Sequence, residues 1–201
     1  MKIFAIIHNY GPAAPDSAAG EGETAWYEMA DSSLLRTGNP MFVPDFDTEF
    51  RAFPSIVLRV GRLGKSIAAR FADRYIDGWT MGAAVIAINR LAALRKAGMP
   101  WSAATSFDRS LLLGNLQPID TFYNNGTIRV ECGGEALDYE TALLRHAPQA
   151  LIEMLSADNT LKTGDLILAG LTARGLPLAP GMNLHAATET DNMNLIDINI
   201  R

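Results

Sequence analysis

The sequence holds a single cysteine, Cys132, in 201 residues. One thiol excludes an internal disulfide framework and a cysteine-based zinc site, and a lone cysteine reads as a small buried hydrophobe before it reads as a nucleophile. Histidine is nearly as scarce: His8, His146 and His185 are far apart, and no two have the i, i+4 spacing of a helical metal site. No apolar run reaches the ~20 residues that a membrane-spanning helix needs. Positive charge is also short, with 17 Lys and Arg against 22 Asp and Glu and a formal net charge of −5. That balance, without any polybasic segment, excludes a nucleic-acid or anionic-membrane surface as the main business of the chain. Residues 1–10 carry one lysine and a short apolar run with no cleavage site, so they read as a strand and not as a signal peptide; the cytoplasm is the expected compartment. A Gly-x-Ser-x-Gly elbow is missing. Gly64-Lys65-Ser66 looks like the end of a phosphate-binding loop, but Arg59 stands where that motif needs its first glycine.

What is present is an ordinary globular composition, 48% hydrophobic and 19% charged. One domain over 1–201 is expected, large enough to bury a core unaided. Residues 2–7 are β-prone. Residues 11–23, rich in Gly, Ala, Pro and Ser, are expected to form a mobile loop. Residues 56–60 form a short β-branched run, followed by a helix over 66–75. Apolar residues at helical spacing (Ile88, Leu91, Ala92, Leu94) predict a second helix over 85–97, ended by Gly98 and Pro100. Residues 121–123 and 128–130 around Asn124-Asn125-Gly126 predict a hairpin. A short helix over 149–156, a buried strand over 165–168 and an alternating strand through Ile196, Ile198 and Ile200 complete the chain. Strand, helices, then many strands, without a βαβ rhythm, is an α+β fold.

One acidic cluster stands out: Asp45, Asp47 and Glu49. On an extended segment alternate carboxylates share a face and suit a hard divalent cation; the plainer reading is a solvated edge or loop.

Several segments, taken in order, are similar to the fumarylacetoacetate hydrolase family. They are Asn9-Tyr10, Pro44-Asp45-Phe46, Val60-Gly61-Arg62-Leu63-Gly64-Lys65-Ser66-Ile67 and Arg74-Tyr75-Ile76-Asp77-Gly78-Trp79-Thr80. Trp101 with Ser106-Phe107-Asp108 and Gly114 continues the match, as do Leu155-Ser156, Thr160 to Ile167 and Pro180-Gly181. The similarity spans nearly the whole chain. It implies a mixed β-sheet roll or sandwich with a few short helices. It also implies the activities of the family, which are hydrolysis, decarboxylation or isomerisation of small 2-oxo or β-diketo acids with magnesium or manganese. In that pattern a Glu-x-Glu on a strand and a later Asp hold the metal, which acts as a Lewis acid toward the developing enolate.

Set on this chain, the Glu-x-Glu falls on Phe53-Pro54-Ser55 and the Asp on Ala84. The family lysine falls on Thr105, an arginine on Ile88, the lid histidine near Ala13 and a Lys-Pro pair on Met29-Ala30, while Thr-Gly-Thr-Pro becomes Ala169-Gly170-Leu171-Thr172. Charged groups are costly to bury without a compensating metal or ligand, so their joint replacement by apolar residues is what loss of the metal would favour. The expected pocket residues are Asn9, Tyr10, Phe53, Ser55, Ala84, Thr105, Phe107, Asp108, Gly170 and Leu171, with no metal ligand and the Phe53 ring partly occupying the metal's place. The resemblance then implies a pseudoenzyme with a binding or assembly role, as a homodimer or paired with an active relative. Two alternatives stay open. One is altered, metal-independent hydrolase or isomerase chemistry on a small organic acid through Asp108, Tyr10, Ser55 and Thr105. The other is a metal held by Asp45, Asp47 or Glu49.

Overall fold

The computed structural model describes residues 1–11, 23–122, 126–190 and 192–201. The expected loop over 11–23 falls almost wholly outside these, as do Ala13 and most of the Asn124-Asn125-Gly126 turn. The strands are β1 (Ile3–Ile7), β2 (Ala25–Met29), β3 (Leu34–Arg36), β4 (Phe50–Val60), β5 (Ile76–Ala87), β6 (Leu111–Leu113) and β7 (Gln117–Pro118). They continue with β8 (Thr127–Cys132), β9 (Glu135–Glu140), β10 (Leu166–Leu168), β11 (Leu176–Leu178), β12 (Asn183–Thr188) and β13 (Asn194–Asn199). The helices are α1 (Ile88–Lys96), α2 (Ser102–Thr105) and α3 (Pro148–Asp158), with a 3-10 helix at Ala69–Tyr75. The fold is mixed α+β, as the sequence implies.

Two sheets form. The larger runs β2-β1-β10-β4-β5-β6-β3, with β11 beside β4 and β7 beside β5; the smaller runs β13-β12-β8-β9. Within the larger sheet β1 pairs parallel with β10 and β3 with β6, and the other pairs are antiparallel. Because side chains alternate along a strand, the two faces of the large sheet bury different residues. Ile56, Leu58 and Val60 enter the main core, together with Ile128, Val130 and Tyr139 of the smaller sheet. Phe53, Val57, Ala84, Leu111, Leu113, Ile3, Ala5 and Leu168 enter a second apolar cluster. Burial on both faces explains why the central strands read as continuous apolar runs.

The structure moves several expected boundaries. β4 starts at Phe50, well before the expected 56, and runs through Pro54. A proline inside a strand normally costs a ladder bond. Here it falls where β4 changes partner, between the Phe50–Ala52 pairing with β11 and the Val57–Arg59 pairing with β10. Residues 85–87, expected to be helical, finish β5, because an apolar run buried on both faces carries no period that separates strand from helix. The expected helix over 66–75 is the shorter 3-10 helix. The hairpin expected at 121–130 is instead β8 to β9, turning on Gly133 and Gly134, whose positive φ values of 60° and 80° suit a two-residue hairpin turn. Residues 119–121 form a 3-10 turn.

The acidic cluster serves α1. No side chain of the residue before this helix caps it. Asp47 does so from a distance, its carboxylate accepting the Arg90 amide at 2.8 Å and the Asn89 side chain at 2.9 Å. Glu49 pairs with Arg51 at 2.8 Å, and Asp45 is exposed. Partial burial works against ionisation of Asp47, but bonds from the Arg90, Glu49 and Thr48 amides and from Asn89 outweigh it and hold its carboxyl below the usual range. Asp47→Ala should therefore cost about 1 kcal/mol in denaturant unfolding at neutral pH. Since the folded-state pKa is lowered, the gap from wild type should be full above about pH 4 and should vanish as pH falls through that lowered value. A pH-independent gap would assign the loss to something other than the cap.

Candidate functional site

The register of β4 on β5 sets Phe53 opposite Ala84 and Ser55 opposite Gly82. The three positions where the resemblance places metal carboxylates are therefore neighbours in space. Phe53 is half-buried and packs into the second apolar cluster with Val57, Ala84, Leu111, Leu113 and Leu171. Its ring edge lies against Gly175, where a β-carbon would come within 2.8 Å of it. Ala84 is fully buried. Ser55 is fully buried too, and its hydroxyl is engaged: it donates to the Ile56 carbonyl at 2.9 Å and accepts the Gly170 amide at 3.0 Å.

That Ser55–Gly170 bond spans the gap in the ladder where β4 changes partner, together with Ala169 N to Ile56 O at 2.7 Å and Thr172 N to Pro54 O at 3.1 Å. Gly170 is closely approached there. A β-carbon would sit 3.2 Å from the Asn9 backbone and from the Tyr10 side chain. Asn9, fully buried, donates to the Ala169 carbonyl at 2.7 Å and to His146 O at 3.2 Å, and accepts the His146 amide at 2.8 Å. Tyr10 stacks on Tyr139 at 4.2 Å between ring centroids, and its hydroxyl accepts the Glu140 amide at 2.9 Å. Burial raises the Tyr10 pKa, with Glu140 and Asp138 charges adding to it against the Glu140 amide bond. The Tyr139 hydroxyl, fully buried, donates to the Gly170 carbonyl at 2.9 Å.

The structure thus brings Asn9, Ser55 and Gly170 together through backbone hydrogen bonds around Ala169-Gly170, with Tyr10 joined to them by its stack on Tyr139, and it sets Phe53, Ala84 and Leu171 in a separate apolar cluster. Thr105 is buried, its hydroxyl directed to the Trp101 carbonyl at 3.4 Å. Phe107 lies elsewhere, edge-on to Phe46 and Phe50 against the main core. Asp108 is exposed. The Phe107 ring packs into an aromatic group with Phe46 and Phe50, and beside the turn at Arg109 (φ 64°) Asp108 faces solvent, so neither joins the other expected residues. A residue the sequence reading missed is Tyr27. It alternates with Ala25 and Met29 on β2, so its ring enters the second cluster, edge-on to Trp101 at 5.4 Å. Its hydroxyl is buried without a hydrogen-bond partner among the described residues, and burial raises its pKa. Strand alternation from Met29 was the signal that could have found it.

These side chains do not suit a divalent metal. A phenyl ring and a methyl group offer no lone pair, and the Ser55 hydroxyl is already shared between two backbone groups. Among the described residues no group of three or more His, Cys, Asp or Glu side chains is arranged to hold a metal ion. Two of the larger clefts, of about 490 and 420 Å³, are lined by other residues, around His8 with Trp26 and around Leu144 with Gln149.

The sequence profile described as "Fumarylacetoacetate (FAA) hydrolase C-terminal" matches residues 2–193, and the chain belongs to this family. It is 26% identical over 189 residues to an oxaloacetate tautomerase of Escherichia coli, covering 91% of this chain and 86% of that protein. It is 21% identical over 186 residues to a mitochondrial oxaloacetate decarboxylase of Dictyostelium discoideum, covering 90% and 85%. The fold matches a fumarylpyruvate hydrolase from Pseudomonas aeruginosa, solved with Mn2+ and pyruvate, with a TM-score of 0.85 at 18% identity, over 100% of this chain and 90% of that one. It also matches 2-hydroxyhepta-2,4-diene-1,7-dioate isomerase from Mycobacterium marinum, with a TM-score of 0.83 at 24% identity, over 99% and 73%.

Ser55→Ala should leave the buried Gly170 amide unsatisfied and cost about 1–3 kcal/mol in unfolding free energy. Hydrogen exchange of that amide should accelerate in the variant. An unchanged exchange rate would show that the bond does not hold the β4 gap closed.

Proposed function

We propose that this chain is a non-catalytic member of the family, a pseudoenzyme with a degenerate metal site that acts by binding or assembly in the cytoplasm. It pairs with a second copy of itself or with an active relative. The observation that carries this reading is the Phe53–Ala84 pairing with the Ser55 hydroxyl already bonded to Gly170. A reaction that builds an enolate needs a cation, or a set of donors, facing the developing charge. Here that face is phenyl and methyl. The second reading, altered hydrolase or isomerase chemistry on a small 2-oxo acid, needs Asp108, Tyr10, Ser55 and Thr105 to converge. Among the described residues no hydrogen bond joins Asp108 to the other three, and each of those three hydroxyls already bonds to backbone.

Oxaloacetate is the first substrate to test, because it is named in several relatives. The expected result is no keto–enol conversion or decarboxylation above the uncatalysed rate, with or without Mg2+ or Mn2+. About 1 mM Mn2+ should leave the melting temperature unchanged, whereas a site with Kd of about 10 μM would add about 2.7 kcal/mol and raise it by roughly 5 °C or more. Metal-dependent turnover or such a shift would overturn the proposal. Sedimentation that finds only monomer, alone and with an active relative, would remove the assembly role.

A further inference from the structure

Residues 62–74 carry Arg62, Lys65, Arg70 and Arg74 against one acid, Asp73, in a chain whose net charge is −5. Arg62, Lys65 and Arg74 line a single cleft of about 320 Å³, with Ser66, Phe71 and Tyr75 on its walls. That volume lies at the lower end of small-ligand clefts. Among the described residues none of the four cations forms an ion pair. The nearby acids are committed elsewhere. Asp73 accepts the Gln149 side chain at 2.8 Å, Glu153 accepts the Ala69 amide at 3.1 Å, and Asp77 pairs with Arg59 at 2.7 Å.

The rim of the cleft is held in place. Gly64 exchanges backbone bonds with Leu161 at 3.0 and 2.8 Å. The Ser66 amide reaches the Ser156 carbonyl and the Ile67 amide the Ser156 hydroxyl, both at 2.8 Å, so the loop is tied to α3. Ser66 itself sits in the left-handed region at φ 53°, a conformation kept only where the surroundings enforce it. Phe71 is 42% exposed, with the guanidinium groups of Arg70 at 4.8 Å and Arg74 at 5.5 Å from its ring centroid. Stacking restricts those side chains before any ligand arrives, which lowers the ordering cost of binding.

We propose that this cleft binds a small molecule bearing two or more oxyanion groups, carboxylate or phosphate, with its carbon skeleton against Phe71. Guanidinium forks and a lysine ammonium match such groups through charge-assisted hydrogen bonds. The site is independent of the roll interior, so it stands or falls apart from the proposed function.

The test is calorimetric titration of the intact protein with pyrophosphate and, separately, citrate, at about 10 mM salt, where the Debye length is ~30 Å. One-to-one saturable binding is expected. Tighter pyrophosphate would assign the site to phosphates, and tighter citrate to carboxylates. The triple variant Arg62→Ala, Lys65→Ala, Arg74→Ala should weaken the better ligand by more than about tenfold. A control with the same charge change at exposed positions, Arg36→Ala, Lys96→Ala, Arg201→Ala, should weaken it by less than about threefold. If the first variant fails to fold by circular dichroism, Lys65→Gln alone should still weaken binding by about threefold. No saturation below about 10 mM, equal losses in the two triple variants, or no loss in Lys65→Gln would overturn the proposal.

Discussion

The antiparallel pairing of β4 with β5 is the constraint on which the interior depends. It runs from Phe50 opposite Ala87 to Val60 opposite Ile76, and it brings residues 53, 55 and 84 to one place. A slip of one residue would turn Phe53 out of the second cluster and Ile56 out of the main core. The register is fixed from both sides, because both faces of these strands bury apolar side chains. Gly82 contributes by omission: a β-carbon there would come within 2.6 Å of Val57.

Given that register, the interior has two self-consistent fillings. Carboxylates at facing positions repel one another and must be neutralised by a cation or a proton. Apolar side chains need no ion, because their burial is itself favourable. The chain has the second filling at Phe53 and Ala84, and the single polar group left on β4 there, Ser55, is satisfied by backbone. The polar atoms that remain in this region, on Asn9, Tyr10, Tyr139 and Gly170, bond mainly to main chain. Those at Ala169 and Gly170, from Asn9 and Tyr139, tie down the segment between β10 and β11. Tyr27 is the exception, with its hydroxyl buried and unpaired among the described residues.

Much of the architecture was legible in the sequence. The first strand, the buried strand at Leu166–Leu168, the helix opening at Pro148 and the alternating terminal strand all lie where local pattern put them. Failures came where tertiary context overrides local signal. The β-branched run at 56–60 marks only the second half of β4, which begins at Phe50 and passes through Pro54 where it changes partner strand. The end of β5 reads as helix because doubly buried strands have no period. Residues 128–130 pair with β9 through the turn at Gly133-Gly134, a glycine pair that local pattern reading passed over. For the site, counting along the resemblance placed Phe53 and Ala84, which the register then sets face to face. Nothing in local sequence revealed that Ser55 bridges to Gly170 across 115 positions, or that Phe107 joins Phe46 and Phe50 while Asp108 is left in solvent.

On the proposed reading, the β4–β5 face is satisfied by packing and takes up no divalent ion. The most direct measurement is the electron paramagnetic resonance of Mn2+ in the presence of increasing purified protein. The six-line signal of the free aqueous ion should keep its amplitude as protein is added in excess. Loss of that signal in one-to-one proportion to protein would contradict the account, and would mean that residues other than Phe53, Ser55 and Ala84 supply oxygen donors to a metal.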